Sequence, residues 1–533
     1  MLSAARSGSG AGSIRRAAAG LALAVAWHAG GAFAQALVAC AEPLAGAATA
    51  PGADAGIPPC RDTPRQVRDA AREVARSPLV KPGARIVRLD RRALERVLVD
   101  RDRMPQLHLP LVAGTTLVLR GPHLPIDADA KRARHWRGDA FALRDGRAVA
   151  QGRAFLTWND VVVHGEVEIG PGLFRFAPLG GPYYLVYEVE AAAVPADHPV
   201  TSPAYDPFDD PGRRAVSEPG RIDAGRTPRR RGDAIVIDTA FGFTKNAADA
   251  LTLGSTDPGE RRQRLEAWAV NALGRVNEAF RDAGVGVQFD LTDPQVDLRE
   301  TGIVERARRL AQGNVAGDFD HEMTKVLWPA TRPAAAPVLC HWARSGASVY
   351  VLVGEFGGDL VAGVDANGKP LIEGACGHAG KPHGAVDATQ PPSIAAALDD
   401  PSAERAGALG YAVVKRLCVE HHHTLTHEVG HLLGADHDAS ATNAAPLELV
   451  AGTARERIAY GLAVGEGAQR RLSVMAVGNN AGDRRARWPV FSRHPPGASG
   501  LGAADADNAR VLRVTAPWFA RRRPPAPQDA CPG

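Results

Sequence analysis

The stretch TLTHEVGHLLGADHD, which begins at Thr424, constrains the fold more than any other part of the chain. His427 and His431 are four residues apart, so on a helix both imidazoles leave the same face and can converge on one ion. Gly434 lies where this helix has to end, because glycine adopts the positive φ of a sharp turn. The turn can return His437 to the same ion. The stretch therefore requires a helix, a tight turn and a returning segment.

The residue types in this stretch are those of a catalytic zinc site. Neutral imidazole is a good zinc ligand, and catalytic zinc keeps three protein ligands and an open position for water. Glu428 follows the first ligand directly and is placed to move a proton from a zinc-activated water to a leaving amine. Three histidines, one acid and one glycine match this template by chance with a frequency on the order of 10⁻⁴. The sequence predicts one zinc ion, held by His427, His431 and His437.

The N-terminus favours export. The stretch SIRRAAAGLALAVAWHAGGAFAQA has two arginines, an apolar region and small residues at Ala32 and Ala34, which is the pattern of a secretory signal peptide cleaved after Ala34. It is too short and too interrupted for a membrane anchor, and no other apolar run could span a bilayer. The prediction is a secreted or periplasmic protein. The alternative is a lipid anchor at Cys40, at the end of LVAC.

The cysteines bear on the cellular compartment of the protein, and its net charge bears on its binding partners. The six cysteines are Cys40, Cys60, Cys340, Cys376, Cys418 and Cys531. In an exported chain they predict disulfides, and because none forms a C-x-x-C pair, a cysteine zinc site and a thiol redox role are disfavoured. A net charge of +4 spread over the whole chain does not indicate binding to nucleic acid or to a membrane surface.

Shifts in composition divide the chain into segments. We assign 1–34 to the signal peptide, 35–60 to a flexible lead-in, 61–195 to a β-rich domain, 196–232 to a Pro/Arg-rich linker, 233–523 to the main domain and 524–533 to a C-terminal tail. The basic cluster Arg229–Arg231 would suit a processing protease. A merely solvated linker explains the cluster equally well.

The main domain has an α/β pattern. Apolar residues recur at helical spacing in ERRQRLEAWAVNALGRVNEAF, namely Leu265, Trp268, Ala269, Leu273, Val276 and Phe280. The stretches GVGVQFDL and GASVYVLVGEF have the composition of strands. A further helix, from about Tyr411 to Leu433, is expected to carry the histidine motif. Strands that alternate with long helices predict a sheet with helices packed against it.

H-E-x-x-H-x-x-G-x-x-H resembles the pattern of the metzincins, which place a methionine turn beneath the metal. Met475, in RRLSVMAVGNN, resembles that methionine. Asp438, directly after the third histidine, resembles the adamalysin and reprolysin branch, and within it the bacterial reprolysin-like proteases that include the peptidyl-Asp metallopeptidase group. The resemblance covers roughly residues 233–523, with Gly434 and Asp438 as family markers.

This resemblance implies a metzincin α/β domain, with a twisted mixed sheet and helices, that hydrolyses peptide bonds in proteins or peptides as a monomer. Glu428 would act as general base and then acid, and Met475 would support the ligands without binding zinc. The segment CGHAG resembles the family's substrate edge, so the backbone of Gly377, His378 and Ala379 would bind a peptide as an added strand. The competing hypothesis is a non-catalytic zinc-containing adhesin or binding protein. Glu428 argues against it, because a structural zinc site needs no acid there.

The resemblance also implies a disulfide between Cys376 and Cys418. The remaining cysteines then offer the pairs Cys40–Cys60 and Cys340–Cys531. The β-rich N-terminal domain resembles a prodomain, yet no cysteine lies between Cys60 and Cys340 to block the zinc. The domain then assists folding, blocks the cleft sterically, or stays attached as a binding module.

Other residues near the motif leave their roles open. Arg493 and His494 stand where the family has asparagine, which changes the expected specificity wall, and Arg484–Arg487 would suit an acidic substrate side chain or form a solvated loop. His423 lies four residues before the first ligand. It belongs to the triplet His421–His423 and is interpreted as a polar histidine at a helix start, with contact to substrate or a second metal as the alternative.

Overall fold

The computed structural model of the chain describes residues 38–44, 59–91, 94, 106–110, 116–120, 133–144, 147–169, 172–190, 225–291, 298–300, 336–355, 363–364, 370–371, 376–379, 385–387, 410–439, 448–451, 454–465, 470–477, 488–497, 499–524 and 531. The chain divides into two units, Met1–Ala34 and Gln35–Gly533, and all of these residues belong to the second. The predicted signal peptide and residues 196–224 of the predicted linker lie outside the described residues. No described helix is long and apolar enough to cross a membrane.

The helices and strands among these residues are as follows. The helices are α1 (Arg65–Ala75), α2 (Lys245–Thr252), α3 (Pro258–Asp282), α4 (Ala336–Ser345), α5 (Arg416–His421), α6 (Thr424–Leu432) and α7 (Asn508–Phe519). The strands are β1 (Val38–Pro43), β2 (Arg85–Leu89), β3 (Gln106–Pro110), β4 (Thr116–Arg120), β5 (Arg134–Arg144), β6 (Arg147–Trp158), β7 (Val163–Ile169), β8 (Gly172–Gly180), β9 (Tyr183–Glu188), β10 (Arg230–Arg231), β11 (Ala234–Phe243), β12 (Val287–Asp290), β13 (Leu298–Glu300), β14 (Val349–Gly354), β15 (Gly363–Val364), β16 (Pro370–Leu371), β17 (Gly377–Ala379), β18 (Ala385–Asp387), β19 (Tyr411–Lys415), β20 (Asp436–Asp438), β21 (Glu448–Ala451), β22 (Ala454–Glu456), β23 (Tyr460–Gly461), β24 (Ala463–Val464) and β25 (Arg471–Leu472).

Strands β1 to β9 form one antiparallel sheet, which we call the N-terminal sheet. Its strand order is β1-β2-β9-β8-β7-β6-β5-β4-β3. The sheet curls, so that its edge strands β1 and β3 come close together. Trp136, Trp158 and Tyr184 are fully buried in the apolar cluster of this sheet. The N-terminal part of the chain is therefore β-rich, as the sequence predicts.

The segment Val38–Pro43, assigned above to a flexible lead-in, forms the edge strand β1 and pairs with β2. A disulfide joins Cys40 to Cys60, and their Cα atoms lie 4.9 Å apart. Strand pairing and this crosslink order a segment whose composition shows no periodicity. The sulfur of Cys40 is bonded to Cys60 and is not a thiol, which contradicts the alternative of a lipid anchor there.

A second sheet is mixed and is covered on both faces. In it β11, β12, β13, β14 and β19 run parallel, and β17 lies antiparallel to β19 at one edge. Every residue of β14, VYVLVG, is buried, as expected for a strand with helices on both sides. Val351 and Val353 belong to the apolar cluster that includes α3, whereas Tyr350 and Leu352 belong to the cluster that includes α4. This is the α/β arrangement that the sequence predicts.

Helix α3 is the longest described helix, and its ends follow from local sequence. The carboxylate of Asp257 caps its first turn by accepting a hydrogen bond from the amide of Glu260 at 2.6 Å, and Pro258 occupies the first helical position,. Gly284, with a φ of 68°, follows the last turn. The six apolar residues that the sequence places on one face of this helix are all buried: Leu265, Trp268, Ala269, Leu273, Val276 and Phe280.

The expected helix from Tyr411 to Leu433 is instead three elements. The first part, YAVVK, is the strand β19 and pairs with β14 on one side and β17 on the other. Its β-branched residues suit a strand in the middle of a sheet. Helix α5 follows, and the chain is then extended at His422, with φ −145° and ψ 172°, before α6 begins. Periodicity alone did not separate a short buried strand from a helix.

The basic cluster Arg229–Arg231 belongs to an ordered hairpin. Strand β10 pairs with β11, and Nη2 of Arg229 lies 2.9 Å from Asp238 Oδ1. Nη2 of Arg231 lies 3.2 Å from Asp290 Oδ2. Processing proteases cut exposed loop tips most readily, so these ion pairs oppose a processing site at the cluster.

The structure contains two further disulfides. Cys340 in α4 is bonded to Cys531, which ties the end of the chain to that helix. Cys376, directly before β17, is bonded to Cys418 in α5. The three disulfides are the pairs expected above, and among the described residues no cysteine is free.

Gly274→Ala is expected to lower the free energy of unfolding. A Cβ at this position of α3 would lie 2.4 Å from Phe155 Cζ and 2.5 Å from His135 Cε1, on the N-terminal sheet. Overpacking costs about 1–3 kcal/mol, and the better helix propensity of alanine offsets up to about 1 kcal/mol of it. We expect a net loss of about 1–2 kcal/mol in urea unfolding. Gly259→Ala, where only Asp257 Oδ1 comes within 3.2 Å, should cost less, and equal losses would contradict this expectation.

Candidate metal centre

Helix α6 carries two of the three motif histidines. His427 and His431 are one turn apart in α6, and both are buried. The helix ends at Leu432, and Gly434, two residues later, has a φ of 92°. The amides of Gly434 and Ala435 donate to the carbonyl oxygens of His431 and Gly430, both at 2.9 Å. A left-handed glycine that satisfies the last helical carbonyls turns the chain sharply, as the sequence requires.

Strand β20 returns His437 to the end of α6. It pairs with β23, and the amide of Asp436 donates to the carbonyl oxygen of Ala459 at 2.7 Å. The carboxylate of Asp436 accepts from the amide of His437 at 2.8 Å. The carboxylate of Asp438 accepts from the amide of Val477 at 2.8 Å. These bonds hold β20 from several sides, and His437 itself keeps part of its surface exposed.

The three histidine rings converge through their Nε2 atoms. Nε2 of His431 lies 3.0 Å from Nε2 of His427 and 3.0 Å from Nε2 of His437, and the third separation is 3.1 Å. Three nitrogens bound about 2.05 Å from a tetrahedral ion would be about 3.3 Å apart. Among the described residues, this is the one group of metal-binding side chains close enough to hold an ion together.

Main-chain carbonyls determine which ring nitrogens point to the centre. Nδ1 of His427 lies 2.9 Å from the carbonyl oxygen of Val474, and Nδ1 of His431 lies 2.9 Å from that of Ala435. A carbonyl only accepts, so each Nδ1 donates its proton and each Nε2 carries a lone pair. Burial lowers the pKa of His427 to about 4, which favours this neutral ring. Two lone pairs facing each other at 3.0 Å repel, so the triad fits a cation and could hold a metal ion.

Met475 is fully buried beneath α6. A Cβ on Gly430 would lie 2.6 Å from Met475 Sδ and 2.8 Å from Phe491 Cε1. A Cβ on Gly461, in β23, would lie 2.8 Å from the carbonyl carbon of Met475. Glycine at these two positions lets Met475 approach both α6 and β23.

Glu428 lies against the backbone of β17. Its side chain is fully buried, and a Cβ on Gly377 would lie 2.7 Å from Oε1 and 2.9 Å from Cδ of this glutamate. Burial raises the pKa of Glu428 well above its ordinary value, because the charged form loses hydration. A cation held by the adjacent triad would act in the opposite direction. The glutamate is therefore a buried acid between α6 and the edge strand β17.

Strand β17 is short and lies at the edge of the mixed sheet. Gly377, His378 and Ala379 pair with Val414, Val413 and Ala412 of β19. Among the described strands, β19 is the only partner of β17. The disulfide at Cys376 and a hydrogen bond of 2.8 Å from the Lys415 amide to the Cys376 carbonyl oxygen fix its beginning. The predicted substrate-edge residues thus lie beside α6 and have an outer edge.

His421–His423 lie at the contact with the N-terminal sheet. His421 ends α5, and His423 immediately precedes α6. All three are buried. Their partners include Tyr187 of β9 and, through Arg275 of α3, Glu166 of β7. Sequence reasoning missed these partners, because no local pattern connects residues so far apart in the chain.

Of the predicted specificity residues, the structure describes Arg493 and His494. Residues Arg484–Arg487 are outside the described residues, so their role stays a prediction. Arg493 packs near the turn after α3, since a Cβ on Gly284 would lie 3.3 Å from its Nη1. A Cβ on Gly497 would lie 2.9 Å from its Nε.

No protein-family model matches the chain, and no curated protein matches it. Among solved structures, the chain is similar to metalloproteinase-II from Bacteroides fragilis, with 12% identity and a TM-score of 0.27 over 65% of this chain and 85% of that chain. At this identity and TM-score, the likeness bears on neither activity nor substrate.

Proposed function

We propose that this chain is an exported zinc endopeptidase of the metzincin type, similar to the bacterial reprolysin-like proteases. The observation that carries the proposal is the convergence of three Nε2 atoms at separations of 3.0–3.1 Å. A buried glutamate next to the first histidine, and an edge strand against that glutamate, support it further. A structural metal site needs neither of these two features.

His427, His431 and His437 would hold the metal. Three imidazole ligands suit zinc, and three protein ligands rather than four leave a position for water or substrate, as in catalytic zinc sites. When bound, zinc would supply a Lewis acid that lowers the pKa of water and polarises a carbonyl group. The carbonyl oxygens of Val474 and Ala435 would keep the first two rings oriented toward the ion,.

Glu428 would carry the proton during hydrolysis. As a carboxylate it takes a proton from the attacking water, and as the acid it gives that proton to the leaving amine. Its burial excludes bulk water from the carboxyl group, which strengthens every charge interaction there. Its contact with Gly377 limits the directions in which the carboxyl group can turn.

The substrate would bind as an extended peptide along β17. Backbone N–H and C=O groups at the outer edge of Gly377–Ala379 would pair with the peptide as an added strand. This mode recognises backbone and is therefore suited to proteins or peptides of many sequences. Met475 would support the ligands from beneath α6 without contacting the substrate.

Export is part of the proposal. Residues 1–34 would be the signal peptide, and the three disulfides are typical of a protein outside the reducing cytoplasm. The β-rich segment 61–195 would be retained or removed after export, and the ion pairs at Arg229–Arg231 disfavour removal at that cluster.

Chelation is expected to abolish activity in a reversible way. Purified protein should degrade casein, lose at least about 100-fold of that activity with a zinc chelator, and regain it with added zinc. Metal analysis should give one zinc per chain. His431→Ala, prepared in parallel, should have no chelator-sensitive activity, which excludes a contaminating protease.

Two results would contradict the proposal in different ways. Binding of one zinc without any chelator-sensitive cleavage would indicate a non-catalytic zinc protein. Cleavage that is equal in the wild type and in His431→Ala would assign the activity to another protein in the preparation.

A further inference from the structure

The turn His421–His423 separates α5 from the metal helix α6, and the N-terminal sheet contacts it at several points. The amide of His422 makes the last helical hydrogen bond of α5, to the carbonyl oxygen of Cys418 at 2.8 Å, and the backbone at His422 is extended, so the chain leaves helical geometry before α6 begins. The orientation of α6 therefore depends on what holds this turn. The proposed function uses none of these three histidines.

The first contact comes from β9. The hydroxyl of Tyr187 lies 2.6 Å from Nε2 of His421, whose Nδ1 lies 2.7 Å from the carbonyl oxygen of Leu417. The carbonyl can only accept, so Nδ1 donates to it and Nε2 accepts from Tyr187. Both side chains are buried, and a hydrogen bond between buried groups is costly to lose.

The second contact comes from β7 through α3. Nη1 of Arg275 lies 2.6 Å from Glu166 Oε2, and its Nη2 donates to the carbonyl oxygen of His422 at 2.6 Å. Arg175 lies 2.5 Å from the same carboxylate oxygen. Glu166, Arg175 and Arg275 are all buried. One carboxylate of the N-terminal sheet therefore fixes the guanidinium that holds the turn.

The turn is hydrogen-bonded to His427, the first of the proposed metal ligands. The carbonyl oxygen of His423 accepts from the amide of His427 at 2.9 Å, and Nε2 of His423 lies 3.6 Å from Glu168 Oε1 of β7. A shift of the turn would therefore move the beginning of α6 and the ring of His427 with it.

The N-terminal sheet is also docked through apolar contacts. Ala267 and Val270 of α3 belong to the apolar cluster of the sheet. On another side, residues of α1, β2 and β9 form a cluster with the disulfide of Cys376 and Cys418. The sheet thus reaches α3, α5 and the start of β17 together.

We propose that the N-terminal sheet is a positioning element for the metal helix, which acts through Tyr187 and Glu166 on the turn His421–His423. The inference rests on the proposed function for the identity of α6 as the metal helix. Under it, the sheet is a permanent part of the working protein rather than only a removable inhibitor. Tyr187 and Glu166 are positioning residues, since both act through other groups.

Hydrogen exchange and zinc affinity test this inference on the full chain. Tyr187→Phe removes one hydroxyl and keeps the ring, so amides of residues 422–428 should exchange about fivefold faster. Glu166→Gln should speed the same amides by at least about tenfold and weaken zinc affinity about tenfold. Zinc affinity is measured by competition with a chromophoric chelator.

Each variant has a matched control at a nearby site. Tyr184→Phe removes another buried hydroxyl of β9, which accepts from the amide of Val163 within the sheet at 3.1 Å. Asp282→Asn removes the ion pairs with Arg137 and Arg153, which join α3 to the same sheet. Both controls should leave exchange at residues 422–428 within about twofold of the wild type.

The outcomes separate the two proposals. Unchanged exchange at residues 422–428 in Tyr187→Phe, or equal changes in Tyr184→Phe, would overturn the positioning role. Loss of a buried partner charge is strongly destabilising, so if Glu166→Gln fails to fold, the Tyr187→Phe comparison decides alone. Exchange does not depend on proteolysis, so failure to cut casein would overturn the proposed function and leave this result intact.

Discussion

Glu428→Gln is expected to lower the rate of casein cleavage by about 10²–10⁴-fold while the protein still binds one zinc. Glutamine has nearly the same shape as glutamate, so it fits the buried space against Gly377. Its amide cannot take a proton from water or return one to a leaving amine. The histidine triad and the main-chain carbonyls that orient it are untouched by this change.

The measurement compares initial cleavage rates and zinc content of the wild type and the variant. Glu260→Gln, in the first turn of α3, is the matched control and should keep full activity. A Glu428→Gln protein with wild-type zinc content and more than about a tenth of the wild-type rate would contradict the assigned proton transfer. Loss of zinc from the variant would indicate a role in holding the metal instead.

Gly377→Ala is expected to lower the cleavage rate by about 100-fold or more. The added methyl group would lie 2.7 Å from Glu428 Oε1 and 2.8 Å from its Cγ, which is too close for either group to stay in place. Glu428 is buried, so its side chain moves only with its surroundings. The carboxyl group or β17 has to shift, and either shift separates the proton acceptor from a peptide bound on the strand.

Gly286→Ala provides the control for this substitution. A Cβ there would meet only the carbonyl oxygen of Asp233, at 4.0 Å, so its activity should be unchanged. Zinc affinity of Gly377→Ala should stay close to the wild-type value, because the three atoms nearest to the new methyl group all belong to Glu428 and none to a triad histidine. Full activity in Gly377→Ala would show that the glutamate and the edge strand are not in close contact in solution.

Local sequence predicted those parts of the molecule that depend on neighbouring residues. The apolar period in α3 and the glycine turn at Gly434 are both encoded within a few residues. The converging histidines follow from the same rules, because His427 and His431 are separated by one helical turn. The third histidine, His437, needed only the turn that Gly434 provides.

Long-range contacts explain what the sequence could not predict. Strand β19 was assigned to a helix, and only its pairing with β14 and β17 distinguishes it from one. The contact between Gly377 and Glu428 joins residues far apart in the chain. The partners of His421–His423 come from the N-terminal sheet. Tyr187 and His421, for example, are 234 positions apart in the sequence.

The two ring-orienting acceptors at the candidate metal centre are backbone atoms, and this determines which positions can vary during evolution. Any residue type at 474 or 435 would present the same carbonyl oxygen, so substitutions there are limited by the buried volume and not by loss of a ligand-orienting bond. Substitution is instead restricted at Gly430 and Gly461, because any side chain at either position would come too close to Met475. In a saturation library we expect hydrophobic exchanges at Val474 and Ala435 to survive, and the two glycines to be nearly invariant.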